Sequence, residues 1–419
     1  MDTKIKSIVS RQIFDSRGIP TLETKVTLNN GIIGKASVPS GASTGSYEAY
    51  EKRDNKKCYG GKSVLGAVES VNRDINKLLK DHDALNQKKL DRLMIELDGT
   101  ENKRNLGANA TLSVSLACCR AAANALGVPL FYYLGGMNAN LIPVPFMNII
   151  NGGRHADNNL NIQEFMIAPT GASSFEEAMQ MGTEIYQTLK GILKEKGLST
   201  SIGDEGGFAP LLKSDEEAIE LIINAIEKSG YAPSKDVNIA LDCAASEWFS
   251  DGKYTLMKSG TEYSSNELSD YLSELIHKYP IISIEDPFSE DDFDAYTDFS
   301  LSEIIQVVGD DLFVTNKSRL MMGIEYEAAN AILIKPNQIG TLSETLETIK
   351  LAKMNNYNVM ISHRSGETED SFISDLAVAT GAGQIKAGAP CRSERLSKYN
   401  RLLMIEKMLN GNAIYQSLI

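Results

Sequence analysis

The chain has 419 residues, 42% of them hydrophobic and 23% charged, with a net charge of −13 at pH 7. That length exceeds what one core usually organises, so two domains are expected. The acidic balance argues against general nucleic-acid binding, which needs a basic face, while a local cationic pocket for a small anion stays open; no apolar run is long enough for a membrane span and the start, MDTKIKSIVSRQIF, lacks the apolar core of a secretory signal, so the expected compartment is the cytoplasm.

From Ile5 to about Ala36 the chain reads as an antiparallel meander: KIKSIVSRQIF, then TLETKVTLNNGIIGKASV, with period-two alternation and an Asn-Asn-Gly turn. PSGASTGSYEAYEKRD follows, a segment of small residues that reads as a plain surface loop or a mobile lid; composition favours the plain loop. Three helices come next, SVLGAVESVNRDINKLLK, KLDRLMIELDG and NATLSVSLACCRAAANALG, the last closed by Gly127 with Pro129 beyond. Adjacent Cys118 and Cys119 read as small core hydrophobes, and the five cysteines form no disulfide framework. Gly61-Lys62-Ser63 looks like the tail of a phosphate-binding loop but lacks its first glycine and its preceding strand, so it marks a helix start. The Gly- and Pro-rich YLGGMNANLIPVP is the expected boundary between an N-terminal α+β domain, residues 1–136, and a second domain, residues 137–419.

Beyond it, FMNIINGGRHADNNLNIQEFMIAP and LSTSIGDEGGFAP read as strand regions interrupted by glycines and acids. Ser174 and Ser214, each with glutamate three residues on, read as capping boxes for amphipathic helices. Then six runs rich in Val and Ile, VNIALD, IISIED, IQVVGDD, AILIKP, NVMISHR and GQIK, each break off at a polar residue: Asp242, Glu285, Asp310, Lys335, His363 and Lys386. These lie 43, 25, 25, 28 and 23 residues apart, the beat of strand, loop, helix and return in a (β/α)8-type barrel, class α/β. Parallel strands buried on both faces show such continuous apolar runs, and their C-terminal ends open into the barrel mouth. Three carboxylates there make a hard oxygen site suited to Mg²⁺; zinc fits worse, since only four histidines exist and none is spaced as a ligand pair.

The segments GDEGGFAP, SIEDP, VVGDD, LIKPNQIGT and SHRSGETED, together with PSGASTG near the start and GQIKAGAPCRSERL near the end, closely resemble the enolase family, in the right order over essentially the whole chain. The resemblance implies a lyase that reversibly dehydrates 2-phosphoglycerate to phosphoenolpyruvate, built as a small α+β domain on a barrel of partly mixed strand direction and commonly assembled as a homodimer or larger homo-oligomer. It also implies two Mg²⁺ ions, the first held by Asp242, Glu285 and Asp310, the second arriving with substrate and held by Ser43, with Ser40 the weaker candidate. Lys335 is then the general base: a lysine base must be neutral, and nearby cations with Lys386 would push its proton off. Hydroxide is a poor leaving group, so an acid must protonate it; Glu205 matches the family's proton donor, with Glu164 beside it to keep one proton in the pair. His155 matches a lid histidine and His363 stands near the chemistry, although a solvated loop side chain and a packing histidine are their plainer readings, as a strand-end polar residue is for Glu164. Lys386 is expected at the substrate carboxylate, Arg364 and Ser365 at the phosphate, and Gln163 among the substrate contacts.

The chain departs from the family pattern at Ile19, Arg154, Asp157 and Ala387, none of them a proposed ligand, and NAIYQSLI ends without the lysine linked to plasminogen binding in some relatives. Two other readings compete: dehydration or racemisation of a non-phosphorylated acid on the same scaffold, and a non-catalytic binding protein that keeps the fold.

Overall fold

A computed structural model describes residues 2–41 and 45–417. Eight strands close into a barrel in the order Ile281–Glu285, Gln306–Gly309, Ala331–Ile334, Asn358–Ser362, Gly383–Lys386, Val144–Asn151, Glu164–Ala168 and Asn238–Asp242. The six strands expected from their polar ends all form, and runs such as NIALD, AILI and GQIK are buried at every position. Helices flank them on the outside, among them Phe175–Glu195, Asp215–Lys228, Ser265–Lys278, Leu342–Met354 and Ser393–Met408.

One strand runs against the rest. Glu164–Ala168 is antiparallel to both neighbours, while every other barrel pair is parallel. Its connection from Asn151 contains no long helix that could carry the chain back to the barrel floor, so the chain turns at the mouth and descends. Helix Phe175–Glu195 then climbs and helix Asp215–Lys228 descends before Asn238–Asp242 rises again. Residues 196–214, which carry Glu205, are thereby delivered to the mouth, as are residues 152–163, which carry His155 and Gln163.

Val144, Phe146, Met166, Val308, Leu333 and Met360 fill the barrel interior, each fully buried apolar side chain contributing ~1.5–3 kcal/mol. Nearer the floor, Gln306 and Gln384 exchange amide hydrogen bonds of 2.9 and 2.8 Å, and Gln306 also donates to Ser283 Oγ at 3.0 Å, so polar groups there satisfy one another. The interior is a packed plug and chemistry is confined to the mouth.

The N-terminal sheet is the expected meander, Ile5–Phe14, Pro20–Leu28 and Ile33–Ser37. It lies on helix Ala108–Leu126, which ends at a left-handed Gly127. Gly34 makes the close approach possible: a Cβ there would stand 2.2 Å from Ala117 O. The helix expected over SVLGAVESVNRDINKLLK is instead α-helical over Leu65–Glu69 and Asn76–Leu79, with a π-helical turn at Ser70–Ile75 between. The widened turn lets Asn72 and Asn76 both reach the edge strand, where their Oδ1 atoms accept from Ser10 and Ile8 backbone N–H groups at 2.7 Å. LSTSIGDEGGFAP forms no strand, only isolated bridges from Phe208 to Ile150 and Ile202, because its glycines carry it through a turn at the barrel rim. Ser174 and Ser214 cap their helices as expected, but each return glutamate bonds the residue before the cap, Ser173 and Lys213. The full reciprocal box is at Ser264 and Glu267.

Candidate active site

Lys386 ends its strand and reaches across the mouth. Its Nζ lies 2.9 Å from Asp242 Oδ2, 2.9 Å from both oxygens of Glu285 and 3.2 Å from Glu164 Oε2. The acids come from three adjacent strands, with Glu285 and Glu164 each paired in register to Asp242. Burial works against the ammonium, but these carboxylates outweigh it and hold Lys386 charged. Burial, and then the charge of Asp242 beside it, push the Glu285 carboxyl well above its ordinary range.

Lys335 follows the next strand but one and pairs with Asp310, whose other oxygen accepts from Gln338 Nε2 at 2.9 Å. Burial opposes both charges, yet each partner outweighs it, so Asp310 is lowered and Lys335 raised. Asp310 is thus turned to Lys335 and, among the described residues, clusters with Asp286 and Asp311 rather than with Asp242 and Glu285. Its backbone N–H donates to Asp286 Oδ1 at 2.9 Å, as that of Asp311 does to Asp286 Oδ2 at 2.7 Å, which fixes the turn carrying it.

Opposite stand Glu164, Glu205 and His155, each presenting an atom within 4.8 Å of the others. His155 is buried beneath the rim rather than solvated, with Nε2 3.2 Å from Ser365 Oγ. Glu205 accepts from Asn148 Nδ2 at 3.1 Å and Ser365 Oγ at 3.2 Å, and its Oε2 lies 3.3 Å from His363 Nε2. Burial, then the charge of Glu205, lift the Glu164 carboxyl well above its usual value. Burial alone would lift Glu205 too, but His363, His155 and Arg395 hold it well below. Burial pushes the His363 imidazole down to about 3.

Arg364 is buried and meets Glu48 fork to fork, both distances 3.0 Å, and also donates to Asn337 Oδ1 at 3.1 Å. A pocket is lined by His155, Gln163, Glu164, Glu205, Asp242, Lys335, His363, Arg364, Ser365 and Lys386. Gln163 Nε2 approaches Asp242 Oδ2 at 3.4 Å. Glu285 and Asp310 sit just beyond this lining. Ser43 lies outside the described residues. Ser40 is committed elsewhere: its backbone pairs with Gly366 and its hydroxyl donates to Asp15 Oδ2 at 2.8 Å. Among the departures, Arg154 pairs with Glu247 at 2.6 Å on the rim and Ala387 is buried.

Residues 5–134 match the profile of the enolase N-terminal domain, and residues 139–418 that of the enolase C-terminal TIM barrel domain. The chain belongs to the enolase family. It is therefore a lyase of the enolase type, acting on 2-phosphoglycerate, in a family that generally uses Mg²⁺. The donor chemistry fits that ion, since Asp242 and Glu285 offer only oxygen and their like charges are held together at Lys386. No single helix among the described residues is long and apolar enough to cross a membrane. Asn148, Glu48, Gln338, Asn337 and Arg395 were not singled out by sequence. Gln338 and Asn337 lie within LIKPNQIGT, where a short helical turn after Lys335 could have placed them; Arg395 lies within GQIKAGAPCRSERL, but its partners, like those of Glu48, lie across long separations.

Proposed function

We propose that the pocket dehydrates 2-phosphoglycerate reversibly to phosphoenolpyruvate, with Lys335 as general base, Glu205 as general acid and two Mg²⁺ ions. What carries this reading is that two lysines, Lys386 buried and Lys335 partly so, line one pocket with an acid pair. Asp242, Glu285 and Asp310 would hold the first ion and Ser43 the second, supplying positive charge over the substrate carboxylate. Lys386 binds that carboxylate, adding to the charge that makes the alpha proton removable. Lys335 takes the proton at Nζ, which requires its release from Asp310; the same carboxylate as metal ligand leaves the lysine without its counter-ion. From the other side Glu205 protonates the departing hydroxyl, drawing on the proton it shares with Glu164. His155 and Gln163 close the pocket around the substrate, while Arg364 and Ser365 bind its phosphate. The division at residues 136/137 separates a supporting domain from the catalytic barrel.

The test is Mg²⁺-dependent appearance of phosphoenolpyruvate absorbance from 2-phosphoglycerate. No signal, with turnover of a non-phosphorylated acid instead, would replace this reading by another reaction on the same scaffold.

A further inference from the structure

Arg395 has no exposed surface. Its Nη1 contacts His363 Nδ1 at 2.6 Å and donates to Arg364 O at 2.7 Å, while Nη2 donates to Ser365 O at 2.6 Å and Asp204 O at 2.9 Å. One guanidinium thus ties the segment of Arg364 and Ser365 to the loop of Glu205. Room for it is built into the backbone: Gly388 has φ +88°, and a Cβ there would stand 2.8 Å from both Arg395 Cδ and Glu205 O.

Arginine carries only donors and does not lose its proton in proteins. An imidazole nitrogen in hydrogen-bond contact with it must therefore accept, so Nδ1 of His363 carries no hydrogen. The remaining proton of the ring then sits on Nε2, the atom 3.3 Å from Glu205 Oε2. A second proton on Nδ1 would face the guanidinium with no acceptor available.

We propose that Arg395 is a positioning residue that locks His363 as the neutral Nε2–H tautomer, keeping a fixed N–H beside Glu205 that exchanges no proton during the reaction. Its mechanistic use rests on the reading of Glu205 as the acid: an N–H that stays beside that carboxylate steadies it once the proton shared with Glu164 has left. His363 then takes no direct part in the proton transfers.

The chain has four histidines, His82, His155, His277 and His363, few enough for ¹⁵N NMR of the imidazole rings in the whole labelled protein, with His363→Gln assigning the signal. We expect one ring with a pyridine-type Nδ1 and a protonated Nε2, unchanged from about pH 6 to 8, where an ordinary histidine titrates. In Arg395→Met that ring should lose its fixed tautomer, and turnover should fall about 10- to 100-fold. A wild-type ring protonated on Nδ1, or one titrating in that range, overturns the proposal even if the variant does not fold. So does a fixed Nε2–H tautomer persisting in folded Arg395→Met. Because the spectrum does not depend on turnover, failure to dehydrate 2-phosphoglycerate would count against the functional reading alone.

Discussion

Glu164 begins its strand and Asp242 ends the neighbouring one, yet the two are direct partners across the ladder. Reversal of a single strand therefore adds a carboxylate to a mouth already holding Asp242 and Glu285. A raised folded-state pKa means the folded protein keeps a proton that the unfolded chain releases, so stability declines as pH rises above the ordinary carboxylate value near 4.5. Glu164→Gln, close in shape to the protonated acid, should make that decline shallower in metal-free protein, by up to ~1.4 kcal/mol per pH unit over the window. Urea unfolding midpoints at a series of pH values in EDTA measure it; identical slopes would mean Glu164 is not protonated in the fold.

Lys335→Ala should abolish most turnover, a loss on the order of 10²–10⁴-fold or more for a proton-transfer group. Asp310 keeps its hydrogen bond from Gln338, so folding should survive, and circular dichroism alongside the phosphoenolpyruvate assay separates the two effects. Unchanged turnover would remove Lys335 from the mechanism.

If the acids of the mouth bind a divalent cation, Mg²⁺ should stabilise the fold by about 2.7 kcal/mol at a hundred times its dissociation constant. Calorimetric melting with Mg²⁺ and with EDTA tests this. Glu285→Gln should shrink the difference, whereas equal Mg²⁺ shifts in both proteins would place the cation elsewhere.

The fork-on-fork pair of Arg364 and Glu48 offers a fourth test, since planar paired donors suit phosphate as well as carboxylate. Arg364→Lys should raise KM for 2-phosphoglycerate about tenfold or more through loss of the second donor. Inorganic phosphate should inhibit the wild-type protein better than the variant. Equal inhibition would show that Arg364 does not receive the phosphate.

The barrel was legible because buried parallel strands need uninterrupted Val and Ile and because each of six ended on a charged or polar residue. Direction was not legible in that way: EFMIA reads the same ascending or descending, so the residues alone could not decide whether Glu164 faced the mouth or the floor. Burial of His155 could not be read from its own loop, since burial of a loop side chain depends on what roofs it, here Ser365 from more than two hundred positions away. The misread strand at LSTSIGDEGGFAP shows the limit of local propensity, since apolar residues between glycines serve a rim turn as well as a ladder. Arg395 could not be found by spacing at all, because its partners converge only when the barrel closes.

The N-terminal helices grip the chain just past Lys335. Thr111 Oγ1 donates to Gly340 O at 2.8 Å, Ser115 Oγ accepts from Leu342 N at 3.0 Å, Asp91 Oδ2 accepts from Ser343 N at 2.9 Å, and Lys103 pairs with Glu344 at 2.9 Å. Even the backbone of Ala49 bonds to Gln338 O at 2.8 Å. The first third of the protein thus works as a clamp on the turn that aims the lysine.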